Sequence, residues 1–358
     1  MTEGVGNMDK MRAIVATGPN EYGVQLVDIP KPGRNEVLCR IKSVAICGSD
    51  PKLFEGTDFK LGRPPRYPFI FGHEWAGEVA KLGPNTTGFE VGDRVAGESH
   101  CGCGICENCK SGKYTLCLNF GNEEAGHHHY GFQSPGAYAE YCVYSVKSIT
   151  KMPASVTFNE GCMNDTAGVA IHFVRTYGVT FGGYSAIYGD GPIGNICMQV
   201  AKIAGSNTIM VGSGERLKAA KRLGTDYIIN FKEEDPVARI MDITGGKGAH
   251  EVLECAGTQE SFYSAAKSVR KNGKLIVLSL LKKAEVVVPM GEIFKKQITI
   301  CGSRANPSCS QVVMMLMERG EINVKELVTH TFPMEDIRKA LDTFVNQKDG
   351  AIKVVINP

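Results

Sequence analysis

The chain has 358 residues, with 40 Lys and Arg against 38 Asp and Glu and a formal net charge of +2. That length suits about two domains, and the charge balance argues against an electrostatic nucleic-acid binder. The start, MTEGVGNMDK, is polar and acidic, unlike a signal peptide, and the longest apolar run, Leu275 to Leu281, is far too short to span a bilayer. Thirteen cysteines without a disulfide framework point to a reducing, cytoplasmic setting.

From about residue 11 to 150 the chain reads as short β segments separated by Gly and Pro: MRAIVAT, EVLCRIKSVAI, GEVAKLG, DRVAGE and AEYCVY. Many short strands with frequent turns predict a small barrel or sandwich. Two apolar segments lead into polar turns with possible metal ligands. Cys47-Gly-Ser49-Asp50 follows VAI, and Gly72-His73-Glu74 follows YPFIF. A thiolate and an imidazole from separate loops, with carboxylates nearby, are the ingredients of a zinc site that keeps an open position.

A second metal pattern lies inside the β-rich half. Cys103, Cys106, Cys109 and Cys117 follow the spacing C-x2-C-x2-C-x7-C. Four soft thiolates close a tetrahedron around one ion, and zinc prefers such a cage. With no open position, this zinc is expected to be structural. Cys101 lies two residues upstream and could compete, but the spacing is complete without it.

From about 183 to 302 strands alternate with helices. YSAIYG, NTIMVG, YIIN, EVLECAG, KLIVLSLL and QITICGS read as strands, and PIGNICMQVAKIAG and GERLKAAKRLG as helices. This predicts a parallel sheet covered on both faces, hence an α/β fold. Gly189-Asp190-Gly191-Pro192-Ile193-Gly194 joins the first strand to the first helix, the setting in which GxGxxG marks a dinucleotide site. Gly189 would allow the tight turn, Gly191 the approach of a pyrophosphate, and Gly194 close helix packing. The second strand ends in Gly212-Ser213-Gly214-Glu215-Arg216, without the usual acid for a ribose hydroxyl. Ser213 and Arg216 could accept a 2′-phosphate, which points to NADP(H). Glu215 would serve NAD(H) if the turn is short. Residues from about 305 to 358 read as two helical stretches around VTHTFPMEDIRKALDTFVNQ and a closing strand AIKVVIN.

Taken together, CGSD at 47–50, GHEWAGEVAKLG at 72–83, GDRVAGE at 92–98, the four-cysteine segment and GDGPIG at 189–194 resemble the zinc-dependent medium-chain alcohol dehydrogenases, within them the sorbitol, threonine and secondary-alcohol branch. The resemblance implies a GroES-like catalytic domain over 1–160, completed by 305–358 and carrying a zinc lobe at 98–120, and a Rossmann domain over 161–304. It implies two zinc ions per chain, a nicotinamide cofactor and a small alcohol or ketone substrate bound in the cleft between the domains. A homodimer or homotetramer is expected, without nucleic-acid or membrane partners. Cys47 and His73 match catalytic zinc ligands, and Asp165 stands where relatives place Cys, Glu or Asp. Glu74 is the alternative oxygen ligand, and the two could exchange during turnover. Asp50 matches the residue that orients the imidazole, and Ser49 the hydroxyl that passes the substrate proton onward. Lys52 stands where a histidine often ends that relay, so Lys52, the ribose or water could be the final acceptor.

The substrate stays open. Polyols, amino alcohols, secondary alcohols and sugar phosphates all fit the family. His127, His128 and His129 could hydrogen-bond a polyhydroxylated substrate, or belong to a solvated loop. Arg63 and Arg66 could meet an anionic group, or be surface charge. A non-catalytic zinc and nucleotide-binding relative is the alternative class, and loss of Cys47 or His73 would be its signature. Both residues are present.

Overall fold

The computed structural model describes residues 10–57, 67–279 and 285–358. Arg63 and Arg66 lie outside the described residues. The chain divides into two compact units. One runs to Asp165 and takes in Ser310–Glu318 and Val328–Pro358; the other comprises Thr166–Cys309 and Arg319–Leu327. No helix among the described residues is long and apolar enough to cross a membrane.

The first unit is built on a seven-stranded sheet. Strand Glu36–Ala45 pairs antiparallel with Glu74–Leu82, Tyr141–Ser145 and Lys353–Asn357. Its side chains alternate into a core where Phe71, Trp75, Tyr138 and Tyr144 are fully buried. The Trp75 and Tyr144 rings meet edge-on at 4.8 Å, and Tyr130 stacks on Tyr144 at 3.9 Å. Such pairs add to the burial of the rings themselves, about 0.5–1.5 kcal/mol each. Strand Glu21–Asp28, which the sequence reading passed over, pairs with Lys10–Gly18. Its side chains are all half-buried or exposed, so no apolar face announces it.

The C-terminal segment departs from the expectation of two helical stretches around VTHTFPMEDIRKALDTFVNQ. Val328–Pro333 is a strand, paired parallel with Lys353–Asn357; the segment does hold two helices, Ser310–Glu318 and Ile337–Val345, but only the second lies in that stretch. The strand alternates half-buried and exposed side chains, the period-two pattern of a sheet. Its β-branched and aromatic residues favour that state.

The second unit is a six-stranded parallel sheet. Numbered along the chain, its strands lie in the order 3-2-1-4-5-6. The order reverses between Tyr184–Tyr188 and Ala249–Glu254, and ligands of such sheets bind at the strand ends beside that reversal. The glycine turn follows Tyr188 and so occupies this point. Gly189 takes φ 112°, a left-handed conformation. A Cβ on Gly194 would lie 1.8 Å from the Gly189 carbonyl oxygen, so only glycine lets helix Pro192–Ile203 start so close to the strand.

Candidate active site

Strand Glu36–Ala45 delivers Cys47 and Ser49 to the turn before helix Asp50–Glu55. Asp50 is fully buried and fixes this turn: its Oδ2 accepts the Cys47 backbone N–H at 2.8 Å and the Tyr138 hydroxyl at 2.7 Å. His73 and Glu74 arrive at the start of strand Glu74–Leu82, both buried. Ligand atoms of Cys47, His73 and Glu74 lie within 4.8 Å of one another. Asp50 Oδ1 faces His73 Nδ1 at 3.8 Å, and neither atom has a hydrogen-bond partner among the described residues. That facing pair suits a carboxylate that holds an imidazole by Nδ1 and leaves Nε2 for a metal.

The carboxylates are held differently. Glu74 Oε2 meets the buried Lys353 Nζ at 2.5 Å. Asp165, in the first turn of helix Asn164–Tyr177, accepts at Oδ1 from the Ser99 backbone N–H at 3.0 Å and from its hydroxyl at 3.3 Å. Asp165 is not part of the converging trio. Burial raises its pKa, the positive side of His73 works against that rise, and Glu74 adds to it. Burial also works against an imidazolium at His73, yet Cys47, Asp50 and Glu74 push its pKa up to about 10. The Cys47 sulfur, the His73 imidazole and the Glu74 carboxylate, the last paired with Lys353, form a donor set that suits a dication, and binding one would displace the proton on His73.

Ser49 Oγ, two residues after Cys47, is buried and has no hydrogen-bond partner among the described residues. Lys52 is half-buried on the following helix. His127 and His129 are buried, not part of a solvated loop, and His128 is half-buried. His129 stacks between His100, at 4.3 Å, and Phe132, at 4.1 Å. Phe132 in turn packs against His73 at 4.6 Å. The bunched polar letters at 120–138 hid this ring stack, because histidine reads as polar in a composition and packs as an aromatic plate.

The four cysteines of the lobe converge. Cys103 and Cys109 sulfurs lie 3.8 Å apart and Cys106 and Cys117 sulfurs 3.9 Å, with all four within 4.8 Å and no disulfide among them. A tetrahedral zinc with Zn–S bonds of about 2.3 Å sets its sulfurs about 3.8 Å apart, so the spacing fits. Backbone N–H groups of Cys106 and Ile105 lower the Cys103 pKa to about 6, and the Leu118 and Cys109 N–H groups lower that of Cys106. These two shifts favour thiolates, whereas burial pushes the Cys109 thiol up to about 12 and raises that of Cys117, a cost that a bound metal would offset. Cys101 is buried in the hydrophobic core and stands outside this group.

Glu98 ties the lobe to the sheet. It accepts from the Tyr114 hydroxyl at 2.6 Å and from Ser310 Oγ at 3.1 Å, and the sequence reading missed it. Burial pushes its pKa up to about 8, the Tyr114 bond opposes this, and Asp165 adds to it. A carboxyl whose pKa rises on folding contributes most below its unfolded value, near 4.5, and loses that contribution as pH rises towards 8. The chain is therefore expected to lose stability over pH 4.5–8 by up to about 1.4 kcal/mol per pH unit from this group. That is a fall of about 3–6 °C per unit in melting temperature. Glu98→Gln should flatten the slope in thermal melts at stepped pH, and an unchanged slope would assign it elsewhere.

In the second unit Gly191 caps helix Pro192–Ile203, with Pro192 at its first position, followed by Ile193. No side chain among the described residues caps the N-terminus of this helix, a setting that suits an anion. Ser213 caps helix Gly214–Arg222. Glu215 is exposed and pairs with Lys218 at 2.7 Å, whereas Arg216 is half-buried with Nη1 4.0 Å from the place a Cβ on Gly191 would take. Of the two candidates after this strand, Arg216 lies over the glycine turn.

Family models match both halves: the alcohol dehydrogenase GroES-like domain over residues 33–154 and the zinc-binding dehydrogenase over 192–319. A sorbitol dehydrogenase of Halalkalibacterium halodurans is 33% identical, covering 97% of this chain and 99% of its own. An L-threonine 3-dehydrogenase of Pyrococcus furiosus is 35% identical over 90% and 92% of the two chains. The crystal structure of an Escherichia coli oxidoreductase/dehydrogenase of unknown specificity superimposes with a TM-score of 0.90 at 30% identity, over 97% of this chain and 99% of that one. Both domain models in order, full-length relatives and two clusters of metal-ligating side chains leave one conclusion: the chain belongs to the zinc-binding medium-chain alcohol dehydrogenases and is an NAD(P)-dependent oxidoreductase of that family.

Proposed function

We propose that this enzyme interconverts a secondary alcohol or polyol and the matching ketone, with Cys47, His73 and one carboxylate holding a catalytic zinc and the four-cysteine lobe a structural one. The observation that carries the reading is the converging trio Cys47, His73 and Glu74, with the Ser49 hydroxyl two residues from Cys47 buried and without a hydrogen-bond partner among the described residues. Zinc there would supply Lewis acidity that makes a substrate hydroxyl more acidic, and the nicotinamide would supply the hydride acceptor. Ser49 Oγ takes the hydroxyl proton and hands it to Lys52, a ribose hydroxyl or water. Asp50 keeps the His73 ring in one tautomer and orientation. In the second unit the Gly189–Gly194 turn receives the pyrophosphate, and Ser213 with Arg216 favours a 2′-phosphate, hence NADP(H). Screening secondary alcohols and polyols with NAD+ and NADP+, followed at the reduced nicotinamide, tests the assignment. No turnover with any of them by zinc-loaded protein would sink it.

Glu74 and Asp165 are the two candidates for the oxygen ligand, and each has one oxygen committed, to Lys353 and to Ser99. Asp165→Asn keeps an acceptor for Ser99, so the fold should survive. A neutral amide is a poorer zinc ligand, so zinc content should fall towards one ion per chain and most activity should go. Full zinc and full activity in this variant would give the role to Glu74.

Ser49→Ala should retain metal and cofactor binding and lose about 10²-fold in turnover, the scale of one general acid–base step. Part of the loss should return at high pH, where the substrate loses its proton without help. Turnover near that of the parent at neutral pH would show that the proton leaves by another route.

A further inference from the structure

The end of the second Rossmann strand lacks an acidic residue in the sequence, yet a carboxylate is there in space. Asp190, the second residue of the glycine turn, reaches across to it. Its Oδ2 accepts the Ser213 backbone N–H at 2.7 Å. A Cβ on Gly212, the last residue of strand Asn207–Gly212, would lie 2.2 Å from that same oxygen. The carboxylate thus fills the space that a side chain on the strand end would occupy, and a glycine at 212 is what admits it. This is the place where a dinucleotide fold ordinarily presents its acid to the adenosine ribose 2′-hydroxyl.

Two cations bear on this carboxylate. Arg216 and Lys232 both act electrostatically on Asp190. Burial raises the Asp190 pKa, while the Ser213 amide, Arg216 and Lys232 act the other way and favour the carboxylate. A 2′-phosphate here would meet attraction from the cations and repulsion from Asp190. A 2′-hydroxyl would meet a ready acceptor.

We propose that Asp190 is the specificity-determining residue for the cofactor: it accepts the ribose 2′-hydroxyl of NAD(H) and opposes the 2′-phosphate of NADP(H), in balance with Arg216. The role rests on the reading that the adenosine ribose binds at Ser213 and Arg216. Asp190 therefore holds the enzyme open to both cofactors, and the NADP(H) preference given by Arg216 is smaller than it would otherwise be.

Binding of adenosine 5′-diphosphate and adenosine 2′,5′-bisphosphate to the zinc-loaded enzyme, measured by titration calorimetry, tests this without turnover. Asp190→Asn keeps an acceptor for the Ser213 amide and removes only the charge. It should tighten the 2′,5′-bisphosphate about ten-fold or more, the effect of deleting one like charge at a recognition site, and weaken the 5′-diphosphate a few-fold. An unchanged ratio of the two affinities, or an equal loss of both, would overturn the proposal and leave Asp190 a bracing residue. Asp190→Ala serves as the second variant if the first melts early, with the same shift in ratio expected. Arg216→Ala is the separate arm for the underlying reading. It should weaken the 2′,5′-bisphosphate about ten-fold, the loss of one charge-assisted contact, and leave the 5′-diphosphate unchanged. If Arg216→Ala moves neither ligand while Asp190→Asn shifts the ratio, Asp190 selects the cofactor without Arg216, and the balance between the two is overturned.

Discussion

Cys47→Ala is expected to abolish turnover, by about 10³-fold or more, while the fold and the four-cysteine metal persist. The size follows from what the site supplies. Lewis-acid stabilisation at a bound metal is worth several kcal/mol in the transition state, and each 1.36 kcal/mol is about ten-fold in rate. Cys47 is the one thiolate of the trio, and its backbone N–H is tied to Asp50, which also faces His73. Alanine removes the sulfur and leaves that N–H bond in place, so the turn should survive. The remaining imidazole and carboxylates would hold zinc weakly. Metal analysis should therefore give about one zinc per chain in place of two, with thermal stability close to the parent. Cofactor binding, which the proposed reading assigns to the other unit, should be unchanged. A variant that keeps both zinc ions and appreciable turnover would show that Cys47 is not a ligand. The same experiment separates a catalyst from a non-catalytic zinc and nucleotide-binding relative, because only the catalyst has activity to lose.

The parts of this molecule that spacing alone encodes were legible. The four-cysteine lobe, the glycine turn and the alternation of strand and helix repeat along the chain at fixed intervals, and local geometry follows from those intervals. Cys47 and His73 were legible because each lies in a polar, glycine-flanked turn, Cys47 after strand Glu36–Ala45 and His73 just before Glu74–Leu82. What the sequence hid was contact between distant residues. Lys353 lies 279 positions from Glu74 and nothing near it in the chain announces a buried ion pair. Glu98 reads as one more surface acid until Tyr114 and Ser310 close on it. Asp190 was in view, inside the very motif singled out, but the acid was sought on the following strand. A signal was available: an acidic residue in the glycine turn together with a bare Gly212 at the strand end. Only the reach of the side chain across the sheet links them.

Cys106→Ser is expected to lower the melting temperature by roughly 10 °C and to remove one zinc per chain. A structural zinc contributes its binding free energy to folding, with apparent values of about 10–16 kcal/mol in small zinc domains. The lobe has little else to hold it. Helix Glu107–Lys110 contains no buried residue, and Ile105, Leu116 and Leu118 are exposed. Cys106 also does local work, since its sulfur accepts the Cys109 backbone N–H at 3.4 Å as the cap of that helix. Serine can keep the cap but is a poor zinc ligand at neutral pH, so the loss isolates the metal. Only part of the binding energy should appear as lost stability, because the lobe can open while the sheet beneath stays folded. A loss of about 3–4 kcal/mol corresponds to the expected drop at about 2–4 °C per kcal/mol. Activity per intact catalytic zinc should fall much less than in Cys47→Ala, since the trio of Cys47, His73 and Glu74 is untouched. The lobe still reaches the catalytic region through Tyr114, whose hydroxyl donates to Glu98, and Asp165 acts electrostatically on that carboxyl. A modest activity loss that deepens on warming, in step with proteolytic nicking between Cys103 and Cys117, would mark the open lobe. Unchanged zinc content and an unchanged melting curve would show that the four thiols hold no structural metal.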